Sequence, residues 1–260
     1  TCQVHTLATP EQNAAASLEQ LAAALGAGAA LPRLQAPQRP NRPTGRLTAP
    51  KVCKAVGALL PERAIVIDEA ITSGLMLGVM TAGCPRHDLI TLTGGAIGQG
   101  LPNAVGAAIA CPDRPVIALI GDGTAMYTIQ ALWTMARENL NVTAIIFNNA
   151  SYSVLNVELD RVGADEAGPK AKSQLDLHGP VLNFAQLAQG MGVHAARTHT
   201  AEDFCQALEY ALCQSGPHLI EAMVPESLSG AKRKVLPWLL KSLPSLPQPV
   251  AQALKKKIAP

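Results

Sequence analysis

Apolar and polar positions along this chain follow two alternating rhythms. Short runs rich in Val, Ile and Leu at residues 64–68, 88–93, 116–120, 142–147 and 218–224, with a brief apolar stretch at Val193, have the length of buried strands. Between them, segments 50–60, 73–80, 100–110, 125–139, 183–191 and 201–213 have the length of helices. Pro50 stands near the start of the first of these, with Thr48 as its candidate cap. Repeated strand–helix alternation predicts an α/β fold, a doubly wound parallel sheet with helices on both faces.

Other segments break that rhythm. Residues 1–30 hold one strand candidate, 2–7, and one Ala/Leu-rich helix candidate, 11–25, which together cannot close a core. They read as the C-terminal remnant of another domain. Residues 31–47, rich in Pro and Arg, read as a stiff exposed linker, and a new domain is expected over 48–225. The polar, glycine-containing segment 153–182 has the length of a loop that covers a site. In the basic Pro/Lys-rich tail, 226–260, an apolar patch at 235–240 around Trp238 has the character of a docking segment for the body or for a partner.

Composition narrows the class. Of 260 residues, 48% are hydrophobic, enough for a sizeable α/β core, and only 3% are aromatic, too few for a stacking platform for nucleic acid. The net charge of +2 conceals an asymmetry: the tail carries seven Lys/Arg against Glu226, leaving 14 basic and 18 acidic residues in 1–225. Such a tail suits an acidic partner or a membrane surface, or is simply solvated, which its composition favours. Six cysteines without a C-x-x-C pair read as reduced thiols. With no run long enough to span a membrane and no signal-peptide pattern, a cytoplasmic protein is expected.

The candidate chemistry lies at the ends of two strands. Gly121-Asp122-Gly123-Thr124 follows the strand at 116–120, and Asn148-Asn149-Ala150-Ser151-Tyr152 follows that at 142–147, with Asn149 standing 27 residues after Asp122. A βαβ unit opens both strand ends onto one edge, where a carboxylate and an amide reach a single ion. Magnesium takes about six oxygens, some of them from phosphate and water. Asp122 and Asn149 supply two, and the carbonyl of Ser151 is the candidate third. Gly121 and Gly123 permit close approach to phosphate, and Thr124 lies where a helix begins and an anion is favoured. Alone, Asp122 is equally a carboxylate capping the next helix; its spacing to Asn149 favours the metal.

These residues resemble the thiamine-diphosphate-dependent enzymes, whose fingerprint is GDG, a spacer of this length, then NN. The glycine-rich segment 93–106 and the helix at 127–134 are similar to the acetolactate synthase large subunit and benzoylformate decarboxylase branch, and the similarity spans roughly residues 1–225. The resemblance implies the thiamine diphosphate-binding fold with a six-stranded parallel sheet, and thiamine diphosphate and Mg2+ as cofactors. It implies Ile97 as the apolar support beneath the bent cofactor and the Gly95 carbonyl as acceptor from its aminopyrimidine. Thr72, Ser73, Thr124 and Tyr152 become candidate diphosphate contacts, although hydroxyls at helix starts are as often plain caps. Val154 and Leu155 face either the substrate or the core. His194 and His199 lack a third metal ligand, and Asp68-Glu69 is expected to begin the next helix.

The implied activity is decarboxylation of a 2-oxo acid such as pyruvate followed by carboligation, as in a synthase, or by protonation, as in a benzoylformate decarboxylase-like lyase. No catalytic residue is assigned in this chain. In the family, the glutamate that activates the cofactor belongs to a separate pyrimidine-binding domain, expected from the same or another chain in a homo-oligomer. Without that domain the chain is expected to bind cofactor and not turn over. A non-catalytic cofactor-binding module is the rival reading, while a dinucleotide-binding fold is disfavoured because the glycines before residue 100 do not follow G-x-G-x-x-G.

Overall fold

A computed structural model describes residues 3–27, 35–164 and 168–226. The expected tail patch at 235–240 and nearly all of the basic tail lie outside the described residues. The chain divides into two compact units, 1–36 and 37–260. In the first, helix α1 (Ala14–Ala24) begins where the Asn13 side chain accepts from the Ala16 N–H at 3.1 Å, and none of its residues is buried. The expected strand at 2–7 does not form over its described residues, 3–7.

The second unit opens on a segment whose described residues are mostly exposed, with Pro43 and Leu47 buried. Leu47 is fully buried, its N–H donates to the His199 carbonyl, and the Ala201 N–H donates to the Gly45 carbonyl. Six parallel strands follow: β1 (Ile65–Glu69), β2 (Asp88–Thr91), β3 (Val116–Gly121), β4 (Val142–Asn148), β5 (His194–Thr198) and β6 (His218–Met223). Their order is β2-β1-β3-β4-β6-β5, parallel at every pairing.

Helices cover both faces. On one, α2 (Ala49–Leu59), α3 (Leu77–Thr81) and α10 (Ala201–Cys213) enclose Val66, Ile117, Leu119, Ile145, Phe147 and Ile220. On the other, α4 (Gly100–Ala110), α6 (Ala131–Arg137) and α9 (Phe184–Gly190) enclose Ile65, Ile67, Ala118, Ile120, Ile146 and Leu219. Alternate residues of one strand thus feed opposite cores, which explains why these strands read as continuous apolar runs. The exceptions are the two edge strands, β2 with all four residues exposed and β5 with only Thr198 buried.

Several elements differ from expectation in extent. The helix expected at 125–139 is two, α5 (Asp122–Thr128) and α6, parted by a turn in which Leu132 and Trp133 N–H groups bond the carbonyls three residues back. The helix expected at 73–80 shortens to α3, because Gly74 belongs to a turn packed on Asp68; a Cβ there would lie 2.6 Å from Asp68 Oδ1. Thr48 has extended backbone at the start of α2, yet its side chain makes no capping bond. The covering segment is not a bare loop: it contains α7 (Ser153–Arg161) and α8 (Pro169–Ser173).

The β1–α3–β2 connection runs to one side of β1, whereas the next crossover returns past it to β3. The carboxyl ends of β1 and β3 therefore flank the point where the winding reverses, the crevice that open α/β sheets use for ligands.

Candidate functional site

The tip of β3 delivers a buried acid. Asp122 is 4% exposed and opens α5, with Gly121 in the capping position. Its Oδ1 accepts from the Gly123 N–H at 2.8 Å, and its Oδ2 from the N–H groups of Asn149 at 3.0 Å and Ala150 at 2.6 Å. The two motif halves thus meet at adjacent strand tips, as paired strands β3 and β4 require. No basic side chain pairs with Asp122 among the described residues. Burial pushes its carboxyl up to about 6, against the opposing pull of the backbone N–H bonds.

This donor set fits a divalent cation. A buried carboxylate without a counter-charge is costly, and a cation supplies what the protein does not. Asp122 retains acceptor capacity beyond its three N–H bonds. The Asn149 carbonyl oxygen accepts from the Ser151 N–H at 2.9 Å and keeps a second lone pair, while its amide donates to Ser153 Oγ at 3.3 Å. Ser151 sits in the same turn, where its hydroxyl donates to Glu226 and accepts from the Asn156 amide.

Around this centre the structure places the other expected residues unequally. Gly123 faces the ring of Tyr152, not open space: a Cβ would lie 2.3 Å from Tyr152 Cε1. A glycine at this position therefore also leaves room for the Tyr152 ring. At Gly121 the nearest neighbour of a Cβ would be Thr124 Oγ1 at 3.4 Å, so its neighbours do not demand glycine. The Thr124 hydroxyl donates inward to the carbonyls of Gly121 and Glu69, at 3.0 and 3.4 Å.

Neither Thr72 nor Ser73 hydrogen-bonds to this cluster. Thr72 lines a cavity of about 430 Å³ with Asp68, Leu75, Thr91, Val154 and Val157, and Ser73 is 3% exposed, its carbonyl accepting from the Cys53 thiol. Val154 and Leu155 both stand exposed in the first turn of α7, so they are not core residues.

Gly95 and Ile97 belong to a glycine-rich turn in which Gly94, Gly95 and Gly98 all have left-handed backbone. The Gly95 carbonyl accepts from the Ile97 N–H at 3.0 Å, and Ile97 is 39% exposed. What holds this turn is Glu69, and its role differs from the expected one. Glu69 does not begin the helix after β1. Its carboxylate, 1% exposed, accepts from the N–H groups of Gly98 at 2.5 Å, Gln99 at 3.1 Å and Gly100 at 2.9 Å, and so caps α4 some thirty residues on. Burial raises its pKa while these bonds oppose the rise. Asp68, also raised by burial, accepts from the Ala70 N–H.

A second acid escapes sequence reasoning as well. Glu221, wholly buried in β6, binds Arg197 of β5 through both oxygens and the side-chain amide of Asn148, the residue beside Asn149. A lone acid inside the apolar run 218–224 is the available signal, since a buried charge requires a partner. His194 packs on the rings of His218 and Tyr210, and no group of three metal-ligating His, Cys, Asp or Glu residues occurs among the described residues. The five described cysteines are free thiols, and no described helix is long and apolar enough to cross a membrane.

The family model described as "Thiamine pyrophosphate enzyme, C-terminal TPP binding domain" matches residues 74–222. The chain is 53% identical over 225 residues to "Putative acetolactate synthase large subunit IlvX" of Mycobacterium tuberculosis, covering 86% of this chain and 43% of that protein. It is 34% identical over 177 residues to benzoylformate decarboxylase of Pseudomonas aeruginosa, covering 68% of this chain and 32% of that one. Among solved structures, the thiamine diphosphate-dependent 4-hydroxybenzoylformate decarboxylase of Rhodococcus jostii RHA1 superposes with a TM-score of 0.69 at 33% identity, covering 81% of this chain and 39% of that one. The chain therefore spans less than half the length of each of these three relatives.

Proposed function

The chain belongs to the thiamine pyrophosphate enzymes, and from that membership we propose that it forms the magnesium- and thiamine diphosphate-binding part of an acetolactate synthase-like enzyme acting on 2-oxo acids such as pyruvate. The observation that carries the reading is Asp122: a buried carboxylate at the β3 tip, bound by N–H groups from the β4 tip and lacking a basic partner among the described residues. Asp122, the Asn149 side chain and the Ser151 carbonyl hold Mg2+. Gly121, Gly123, Thr124 and Tyr152 border the diphosphate, with Thr72 and Ser73 on the β1 side of the same sheet edge.

The bound thiamine diphosphate supplies an electron sink for the pair released when carbon dioxide leaves a 2-oxo acid. The chain's own contribution is to bind and orient. Ile97 would present an apolar surface to the cofactor, and the Gly95 carbonyl would accept a hydrogen bond from an N–H of its aminopyrimidine. Glu69 fixes the turn that carries both. Val154 and Val157, on α7, wall the cavity on the substrate side and limit water there. The activating glutamate comes from a pyrimidine-binding domain of the same or another chain, which also covers the exposed Ile97, Met126 and Tyr127 in a homo-oligomer.

A decarboxylase reading rests on the similarity to benzoylformate decarboxylase and to the Rhodococcus structure. Titrating the chain with thiamine diphosphate and Mg2+ by calorimetry tests the shared premise; magnesium-independent binding, or none, refutes it. Adding pyruvate or benzoylformate then separates the readings. Acetolactate from pyruvate marks a synthase and benzaldehyde from benzoylformate a decarboxylase, whereas binding without turnover marks a cofactor-binding module.

A further inference from the structure

Three strands of this sheet carry a hydrogen-bonded polar chain, Arg197–Glu221–Asn148, that ends one residue before the turn that binds Asp122. On β5, Arg197 stands in register with Glu221 on β6. Its Nε donates to Glu221 Oε2 at 2.9 Å and its Nη2 to Oε1 at 3.1 Å. The same carboxylate accepts from the Asn148 amide on β4 at 2.7 Å and from the Ala185 N–H at the start of α9 at 3.1 Å. Asn148 is held twice more, its side-chain amide donating to the Leu182 carbonyl at 3.3 Å and its main-chain carbonyl accepting from the Val224 N–H at 3.0 Å.

The residues that follow Asn148 are the ones that meet Asp122. Asn149 and Ala150 both donate their N–H groups to Asp122 Oδ2, and they can do so because Ala150 adopts φ +53°, left-handed backbone that a residue with a Cβ rarely keeps. Such a conformation persists only where its surroundings over-determine it. Here the fixing comes from both sides: Asn148 before it, and after it the bond from the Leu177 N–H to the Ala150 carbonyl at 2.9 Å. A buried ion pair is commonly no more stabilising than well-packed apolar residues of the same volume, so its place beside the metal-binding turn is better explained by geometry than by stability.

We infer that Arg197 and Glu221 are positioning residues for the metal site: through Asn148 they hold Asn149 and Ala150 in the conformation that aims two main-chain N–H groups at Asp122 and fixes the turn from which the Asn149 side chain projects. This rests on the reading of Asp122 and Asn149 as the magnesium anchor. Neither Arg197 nor Glu221 touches the cofactor. They act as the outer layer of a metal site does, by orienting ligands.

The test uses the full chain and two variants, Glu221→Gln and the milder Arg197→Lys, which keeps the charge and loses the two-pronged grip. Amide hydrogen exchange is read at Asn149 and Ala150, with Ile145 and Ile146 in the core of β4 as internal reference. Affinity is read by titrating Mg2+ with thiamine diphosphate. The expected result is exchange about tenfold faster at 149 and 150 with the reference amides unchanged, together with an affinity loss of about tenfold or more. Unchanged exchange at 149 and 150, or acceleration in step with the reference amides, overturns the inference, since a merely structural pair would loosen the whole strand. If Glu221→Gln does not fold, Arg197→Lys decides on the same readouts. Absence of cofactor binding by the unaltered chain sinks the proposed function instead, and the exchange data then still decide whether the pair governs the turn.

Discussion

Ionisation of Asp122 couples folding to pH in a way that can be isolated by one substitution. Burial raises its carboxyl from an ordinary 3.8 to about 6 in the folded chain. A carboxyl with the higher pKa in the folded state binds its proton more tightly there, so the protein is most stable below the unfolded value and loses stability as pH rises through the folded value. That rise is equivalent to about 3 kcal/mol in full, of which about 1.4 kcal/mol falls between pH 5 and pH 7.5. The assay is urea unfolding by circular dichroism in EDTA across that range, for the native chain and Asp122→Asn. Glu69 and Asp68, also raised by burial, slope the same way, and His218, lowered by burial, slopes oppositely. All three remain in the variant, so the difference between the two curves belongs to Asp122. Asparagine keeps one oxygen for the Asn149 and Ala150 N–H groups and loses the Gly123 bond, a constant offset without pH dependence. If Asp122 binds Mg2+ as proposed, saturating Mg2+ and thiamine diphosphate are expected to hold the carboxylate ionised and abolish the native chain's excess slope. Parallel curves for native chain and variant in EDTA would rule out this account of Asp122.

Glu69→Ala strips the acceptor from three buried N–H groups and is expected to cost about 3 kcal/mol or more, read by the same unfolding assay; a loss below about 1 kcal/mol contradicts the clamp. Gly123→Ala drives a methyl into the Tyr152 ring and is expected to cost about 1–3 kcal/mol, most of it recovered when Tyr152→Ala is added, so additive losses in the double variant count against that contact. Arg42→Ala breaks the exposed pair with Glu209 and should leave both the urea midpoint and cofactor affinity unchanged; a clear shift in either contradicts the reading of this pair as a screened surface contact.

Much of the architecture was legible because parallel strands buried on both faces must be apolar throughout. The runs at 116–120 and 142–147 became β3 and β4 with one more residue each, and the segments at 100–110 and 201–213 became α4 and α10 with the expected ends. Where local pattern misled, a contact from elsewhere decided. Gly74 packs on Asp68 and shortens α3, and at the end of the expected linker Leu47 finds a buried place, its N–H donating to the His199 carbonyl before α10. The strand expected at 2–7 is not formed over its described residues, 3–7.

Two things were written in the linear chain: the rhythm of the sheet and the pairing of Asp122 with Asn149, because one crossover between parallel strands leaves little freedom in where two strand ends meet. What holds that pair and its surroundings in place came from the folded arrangement alone. Glu69 reaches a helix thirty residues away, and Glu221 joins Arg197 to Asn148 across three strands, because strand order sets which distant side chains become neighbours and no local periodicity records that order.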